Sequence, residues 1–209
     1  KEPIQWPPPK KPPCSMLTDF NIDGRLRYWW HAERAFQTDI RGHSIWTFDM
    51  VETMIEAARH RYLKGNYNLR YISLILDAIS RMGVEGQRVL VVGSTNPWLE
   101  ACFLAAGAKS VTTLEYREIE CRHPQIHTTT FEKMQRAFSR GEILPFDAVG
   151  SISSVEHSGL GRYGDPLNPW GDLMAMARIW CITRPTAAFL LGVPFEEEGD
   201  QLVFNAHRI

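Results

Sequence analysis

The chain has 209 residues, 44% of them hydrophobic, which is enough to bury one sizeable core with appendages. Its 23 basic and 24 acidic residues leave a formal charge of −1, so no global field draws it to nucleic acid or to an anionic membrane, and a small or neutral partner is expected. Cys14, Cys102, Cys121 and Cys181 form no CxxC pair or Cys/His cluster, which argues against a zinc site and against a dense disulfide framework.

The opening KEPIQWPPPKKPP holds six of the thirteen prolines, and their fixed φ and missing N–H groups suit an extended polyproline II arm over residues 1–15. That arm reads as a linker or stem, or as a motif that docks a protein partner with an aromatic groove. No run approaches the roughly 18 apolar residues of a membrane span. The first residue is Lys1, not Met. The arm is expected to follow an anchor or targeting segment, which points to the secretory pathway.

Residues 16–85 read as a helical preamble. Tyr28-Trp29-Trp30-His31 and Ile45-Trp46-Thr47-Phe48 offer aromatic rings for sugar stacking, although packing onto a sheet flank is the favoured reading. Over residues 48–62, Val51, Met54, Ile55, Ala58 and Tyr62 recur at helical spacing, with Gly65-Asn66 as the stop. A second helix carries the stripe Leu69, Ile72, Ile75, Leu76 and Ile79 and ends near Gly83.

The period then changes. Arg88-Val89-Leu90-Val91-Val92 is a β-branched run of the kind buried on both faces of a sheet. A helix over 98–106 follows, with Pro97 at its start and Gly107 at its end. Further strands are predicted over 110–114, 126–130, 146–152 and 187–193, with helices over 131–138 and 173–183. Cys102 and Cys181 fall in these helical patterns and are expected to be buried. Alternating strands and helices predict an α/β fold, a three-layer, Rossmann-like, doubly wound and mostly parallel sheet over 86–209 behind the helical preamble.

In such sheets ligands lie beyond the carboxyl ends of the strands, which selects four stretches. Gly93-Ser94-Thr95-Asn96-Pro97 follows the first strand, where Gly93 admits a ligand close to the backbone and the next helix offers free N–H donors. Lacking G-x-G-x-x-G, the turn is poorly suited to a pyrophosphate, which sets an NAD or nucleotide-sugar reading behind the others. Glu115, 22 residues after Gly93 and before Tyr116, is placed as an acid that accepts ribose hydroxyls. His157, beside Glu156, is the candidate general base, with loop bracing as the plainer alternative. His31, His43, His60, His123, His127 and His207 receive no role. The loop over 159–171, with Arg162, Tyr163, Asp165, Asn168 and Trp170, reads as a lid or as a rigid structural loop.

The ordered motifs VLVVGSTNPWLE, LEY, FDAVGSISSVEHSG and LMAMARIWCITRPTAAFLLGVP resemble class I S-adenosylmethionine-dependent methyltransferases, with Arg184-Pro185-Thr186 in place of the usual Pro-Gly-Gly. The longer motifs SSVEHSGLGRYGDPLNPWGDL and FNAHRI resemble a domain-of-unknown-function family found in nematodes, other eukaryotes and bacteria. The methyltransferase resemblance implies S-adenosylmethionine as cofactor. Gly93, Ser94 and Thr95 would then lie at its methionine end, Glu115 and Tyr116 at the ribose, and Thr130-Phe131 near the adenine. SSVEH lacks the Asn-Pro-Pro-aromatic signature of nucleic-acid and amide N-methylation, so O-methylation of a small or glycan-type acceptor is expected. His157 would take the acceptor proton, and Glu156 would orient or tune it. The alternative is an inactive scaffold that grips partners through the Pro-rich arm, Trp29-Trp30 and Trp46. The resemblance also implies antiparallel sixth and seventh strands begun by Leu202-Val203-Phe204, with Ile209 interrupting them.

Overall fold

The computed structural model describes residues 9, 11–30, 44–197 and 199–208. Most of the Pro-rich arm, His31 and His43 therefore lie outside the described residues. In chain order the elements are α1 (Leu17–Phe20), β1 (Arg27–Trp30), β2 (Ser44–Trp46), α2 (Phe48–Arg59), α3 (Leu69–Met82), β3 (Arg88–Val92) and α4 (Trp98–Ala105). They continue as β4 (Ser110–Glu115), β5 (Ile119–Cys121), β6 (Ile126–Thr130), α5 (Phe131–Ser139), β7 (Phe146–Ile152), α6 (Gly171–Cys181), β8 (Thr183–Gly192), β9 (Gln201–Phe204) and β10 (His207–Arg208). Two compact units form, one from Lys1–Gly42, Ser153–Ile179 and Gly192–Ile209 and the other from His43–Ile152 and Trp180–Leu191.

The second unit is a mixed α/β structure around a five-stranded parallel sheet in the order β6-β4-β3-β7-β8. Thr47 starts α2 by accepting the Met50 N–H at 3.2 Å, and Asn68 starts α3 by accepting the Tyr71 N–H at 2.9 Å. Of the predicted stripes, Val51, Ile55 and Ala58 and Ile72, Ile75 and Ile79 are buried and meet Val89, Val91 and Val111 in one core with α4, Met54 and Leu76 pack half-buried against it, and Tyr62 and Leu69 are exposed at the helix ends. Each fully buried Ile or Val there contributes about 1.5–3 kcal/mol. From β3 the chain moves outward to β4 and β6, then returns to β7 on the other side of β3. The strand order thus reverses at β3, between β4 on one side and β7 on the other.

Sequence and structure differ at several places. β8 begins at Thr183 and runs through Pro185, earlier than the apolar run from Ala187 suggests. It is the edge strand, where a missing N–H costs no ladder bond. Within 16–85 the preamble also contains strands: β2 pairs in parallel with β5, and β1 belongs to the other unit. Their lengths of four and three residues are too short to show a period. Cys102 is buried as expected, but Cys181 is exposed, because α6 buries the stripe Ala175 and Ile179 and Cys181 lies about 200° round the helix from Ile179. Trp46 is buried, so it is not free to grip a partner, whereas Trp29 is exposed.

A further difference lies in the first unit. Leu202-Val203-Phe204 joins no five-stranded sheet: β9 pairs in parallel with β1, from Arg27↔Gln201 to Trp30↔Phe204, and antiparallel with β10. Leu202 and Phe204 alternate inward onto Phe20, Leu26 and Leu160, and the Phe20 and Phe204 rings meet edge to face at 5.3 Å. Asn205, at φ 60°, makes the turn into β10, and its side-chain amide donates to the Pro9 carbonyl at 2.7 Å. Among the described residues no helix is long and apolar enough to cross a membrane, and no group of three His, Cys, Asp or Glu is placed to hold a metal ion.

Candidate functional site

Of the sequence-predicted residues, the structure brings Gly93, Ser94, Thr95, Glu115, Tyr116 and Phe131 together in the sheet unit. Gly93 leaves β3 at φ 76°, a left-handed conformation that favours glycine, and its N–H donates to the Leu114 carbonyl at 2.9 Å. The next N–H, of Ser94, donates to Oε2 of Glu115 at 2.9 Å, while Oε1 accepts the Tyr116 N–H at 2.7 Å. Arg117 donates to the Thr95 carbonyl at 3.3 Å, so the turns after β3 and β4 are joined twice. Burial pushes the Glu115 carboxyl up from its ordinary value, opposed by these backbone N–H groups and by the Arg117 charge.

A carboxylate offers about four lone-pair positions. The two N–H groups occupy one on each oxygen of Glu115 and aim the other two. Such a group can accept two further donors on adjacent atoms. Across the β4–β6 register Glu115 faces Thr130, which sets Tyr116 beside Phe131. Their rings stack at 4.5 Å between centroids. A base inserted between two rings needs about 7 Å, so a planar ligand here would lie against the pair and not inside it.

One residue under this turn carried no sequence signal as a site residue. Glu100, in the first turn of α4, is 0% exposed, and its Oε1 accepts the Thr113 hydroxyl at 2.8 Å while its Oε2 lies 3.1 Å from Ser94 Oγ. Burial pushes its carboxyl up to about 7, against its own backbone N–H and the two hydroxyls. In sequence it reads as the polar face of an amphipathic helix, yet seven of the eight α4 residues are buried.

Glu156 and His157 belong to the other unit. They form a short 3₁₀ turn, Val155–His157, after Ser153, a serine held at φ 48°. His157 Nδ1 bonds the Ala206 carbonyl, which fixes the proton on Nδ1 and leaves Nε2 as the acceptor. Oε1 of Glu156 lies 3.6 Å from Nε2, too long for a hydrogen bond, so Ala206 and not Glu156 orients the ring. Burial holds the imidazole down at about 4, and the nearby Arg162 charge acts in the same direction. The ring is therefore neutral at neutral pH and available as a weak base. Glu156 is pushed up by burial, and neither of its oxygens has a well-formed hydrogen bond, although Ser153 and the Ser154 N–H lie close enough to oppose the effect.

The loop over 159–171 is internally braced. Asp165, buried, accepts the N–H groups of Gly159 at 2.6 Å, Gly161 at 3.3 Å and Tyr163 at 3.2 Å. A Cβ on Gly159 would meet the Asn168 carbonyl oxygen at 2.1 Å, so the loop crosses itself at a point only glycine fits. Beyond it, Arg208 of β10 grips both oxygens of Asp172 at 2.9 and 2.8 Å and the Pro169 carbonyl at 2.7 Å. Through His157–Ala206 and Arg208–Asp172, the motif SSVEHSGLGRYGDPLNPWGDL and the motif FNAHRI become one structure. Ala206 and Arg208 escaped sequence reasoning, since a carbonyl acceptor has no side-chain signature and Arg208 resembles an ordinary surface charge, whereas Asp165 was singled out with its loop but not as the brace.

No curated protein matches the chain. A family model does match residues 86–209, more than half of its length and the segment that holds β3, both long motifs and the strand-end cluster. On that match the chain belongs to the family described as Caenorhabditis protein of unknown function, DUF268.

Proposed function

We propose that the chain is an S-adenosylmethionine-dependent methyltransferase acting on a hydroxyl of a small or glycan-type acceptor. The observation that carries the reading is the carboxylate of Glu115, aimed by the Ser94 and Tyr116 N–H groups at the end of β4, one strand from Gly93. Two free acceptor positions match the two hydroxyls of a ribose, and the sheet order reads as a Rossmann-like, doubly wound, three-layer fold. Gly93, Ser94 and Thr95 would take the amino-acid end, and the Tyr116–Phe131 pair would take the adenine against its outer surface. The cofactor supplies the methyl group. Within its own unit, His157 keeps Nε2 as its proton-accepting atom, the Ala206 carbonyl is placed to stabilise an imidazolium, and this residue is the proposed base for the acceptor hydroxyl.

Calorimetric titration with S-adenosylmethionine tests the reading. Heat of binding is expected for the unmodified chain and not for Glu115→Ala; no heat at millimolar ligand would count against it.

A second reading, a binding module or scaffold without catalysis, is favoured by one observation: His157 is held at about 4 by burial, which weakens it as a base. The Pro-rich arm would then supply the contact with a protein partner. Cofactor binding without methyl transfer to any hydroxyl acceptor, together with a stable partner held through the arm, distinguishes this reading from the first.

A further inference from the structure

We infer that Glu100 is the positioning residue of the strand-end site: its carboxyl carries a proton donated to Ser94 Oγ, and losing that proton releases the turn that holds Glu115.

The argument is a count of protons. Ser94 has one hydroxyl hydrogen, and its Oγ lies 2.8 Å from the Asn96 carbonyl oxygen, which can only accept. That hydrogen is therefore spent on Asn96. The 3.1 Å contact between Ser94 Oγ and Glu100 Oε2 then needs a hydrogen from the glutamate. On the other oxygen the Thr113 hydroxyl donates to Oε1 at 2.8 Å, which suits the carbonyl oxygen of a neutral acid. With Glu100 neutral, every contact joins a donor to an acceptor. With Glu100 ionised, Ser94 must turn its hydrogen from Asn96 to Oε2, or two lone pairs must face each other in a fully buried site.

The neighbouring groups agree. The titratable side chains that act on Glu100 are Glu115 at the end of β4, Cys102 on α4 and Cys121 on β5, and none carries a positive charge. Burial keeps both thiols neutral, with Cys102 pushed up to about 12. The Glu115 charge raises Glu100 further. Against this stand the residue's own N–H, the Thr113 hydroxyl, the Ser94 hydroxyl when it turns toward Oε2, and the start of α4, all of which favour the anion, and burial outweighs them at about 7.

The mechanical link is Ser94 itself, whose hydroxyl closes the turn on Asn96 and whose N–H holds Glu115. Ionisation of Glu100 near neutrality thus disturbs Ser94, whose N–H is one of the two donors that aim the candidate ribose acceptor. This consequence for binding rests on the adenosyl reading proposed above, whereas the proton on Glu100 does not.

The test follows the Glu100 Cδ resonance and the Ser94 amide resonance by NMR from about pH 5.5 to about 8.5, in the unmodified chain and in Glu100→Gln, whose amide can donate to Ser94 and accept from Thr113. Expected are a Cδ titration near neutrality and a Ser94 amide that follows it, absent in Glu100→Gln. S-adenosylmethionine affinity should fall about tenfold from pH 6 to pH 8 in the unmodified chain and vary less than about twofold in Glu100→Gln. A Glu100 Cδ already ionised at the acid end overturns the inference. So does a Ser94 titration that persists in Glu100→Gln, because the proton then belongs to Glu115. If Glu100→Gln does not fold, Cδ of the unmodified chain still decides. If Cδ and Ser94 titrate as expected but no cofactor binds at any pH, the inference stands and the adenosyl reading falls.

Discussion

Ser94 and Glu115 are joined by a 2.9 Å hydrogen bond from the Ser94 N–H to Oε2, so the turn after β3 is built on the carboxylate that ends β4. The same carboxylate holds the Tyr116 N–H through Oε1. Glu115→Ala leaves both donors without their acceptor and should cost about 1–3 kcal/mol of stability, read by denaturant unfolding. Glu115→Gln keeps one accepting oxygen and replaces the other with a donor, so its loss should fall between wild type and Ala. Equal stabilities for all three would show that the bond carries no weight in the fold.

Glu100 makes the stability of the sheet unit depend on pH. Its folded carboxyl lies at about 7, above its ordinary value of 4.5, so the folded form binds a proton that the unfolded chain has released. A raised acid stabilises fully below the unfolded value, and that contribution is lost as pH rises to about 7. The loss amounts to about 3 kcal/mol. Glu115, also raised by burial, adds to it in the same direction. Glu100→Gln should remove the larger part of this slope, measured by chemical unfolding at a series of pH values.

The middle of the sheet was legible from the residues because β3 and β7 are buried on both faces. Arg88-Val89-Leu90-Val91-Val92 is a continuous apolar run and forms β3 with those bounds. β1, β2 and β5 were not legible, being three or four residues long and defined by their partners across space. Gly93 and Glu115 could be picked out by strand-end position alone, whereas Glu100 could not, because its role depends on Thr113, thirteen residues on, and on a helix buried on nearly every side. His157 was recognised as a candidate base, but its orienting partner is the Ala206 carbonyl, 49 residues downstream. Nothing in a sequence marks a backbone carbonyl as a partner.

The crossing of the loop over 159–171 allows a sharp test. Gly159 sits at φ 82°, and a Cβ there would come within 2.1 Å of the Asn168 oxygen; on Gly171 it would come within 2.5 Å of Gly159 Cα. Backbone atoms stand on both sides, so relief by rotamer change is closed. Gly159→Ala and Gly171→Ala should each cost at least about 2–3 kcal/mol, and the double variant less than their sum, since both break one contact. Asp165→Asn, which weakens acceptance from three N–H groups, should cost about 1–3 kcal/mol. Thermal unfolding ranks the variants, and a near-neutral Gly159→Ala would mean that the loop does not cross itself.

His157 gives the first unit a pH dependence of opposite sign. Burial lowers its imidazole from 6.5 to about 4, so the unfolded chain takes up a proton that the folded one refuses. A depressed base stabilises fully above the unfolded value and loses that contribution as pH falls toward 4, by about 3 kcal/mol. Between about pH 4.5 and 6.5 this acid-side loss opposes the alkaline-side loss from Glu100, and the two are similar in size. If the chain unfolds in a single transition, the Glu100 and His157 contributions should largely cancel in wild type across that window and leave the alkaline-side loss of Glu115, Glu156 and Asp165, with each single variant shifting that slope by the contribution of the group it removes. Relative to wild type, Glu100→Gln should lose more stability on acidification and His157→Gln more on alkalinisation. Unfolding free energies at four or five pH values for the three proteins decide the matter. Parallel profiles would show that the pH dependence of wild type comes from groups other than these two.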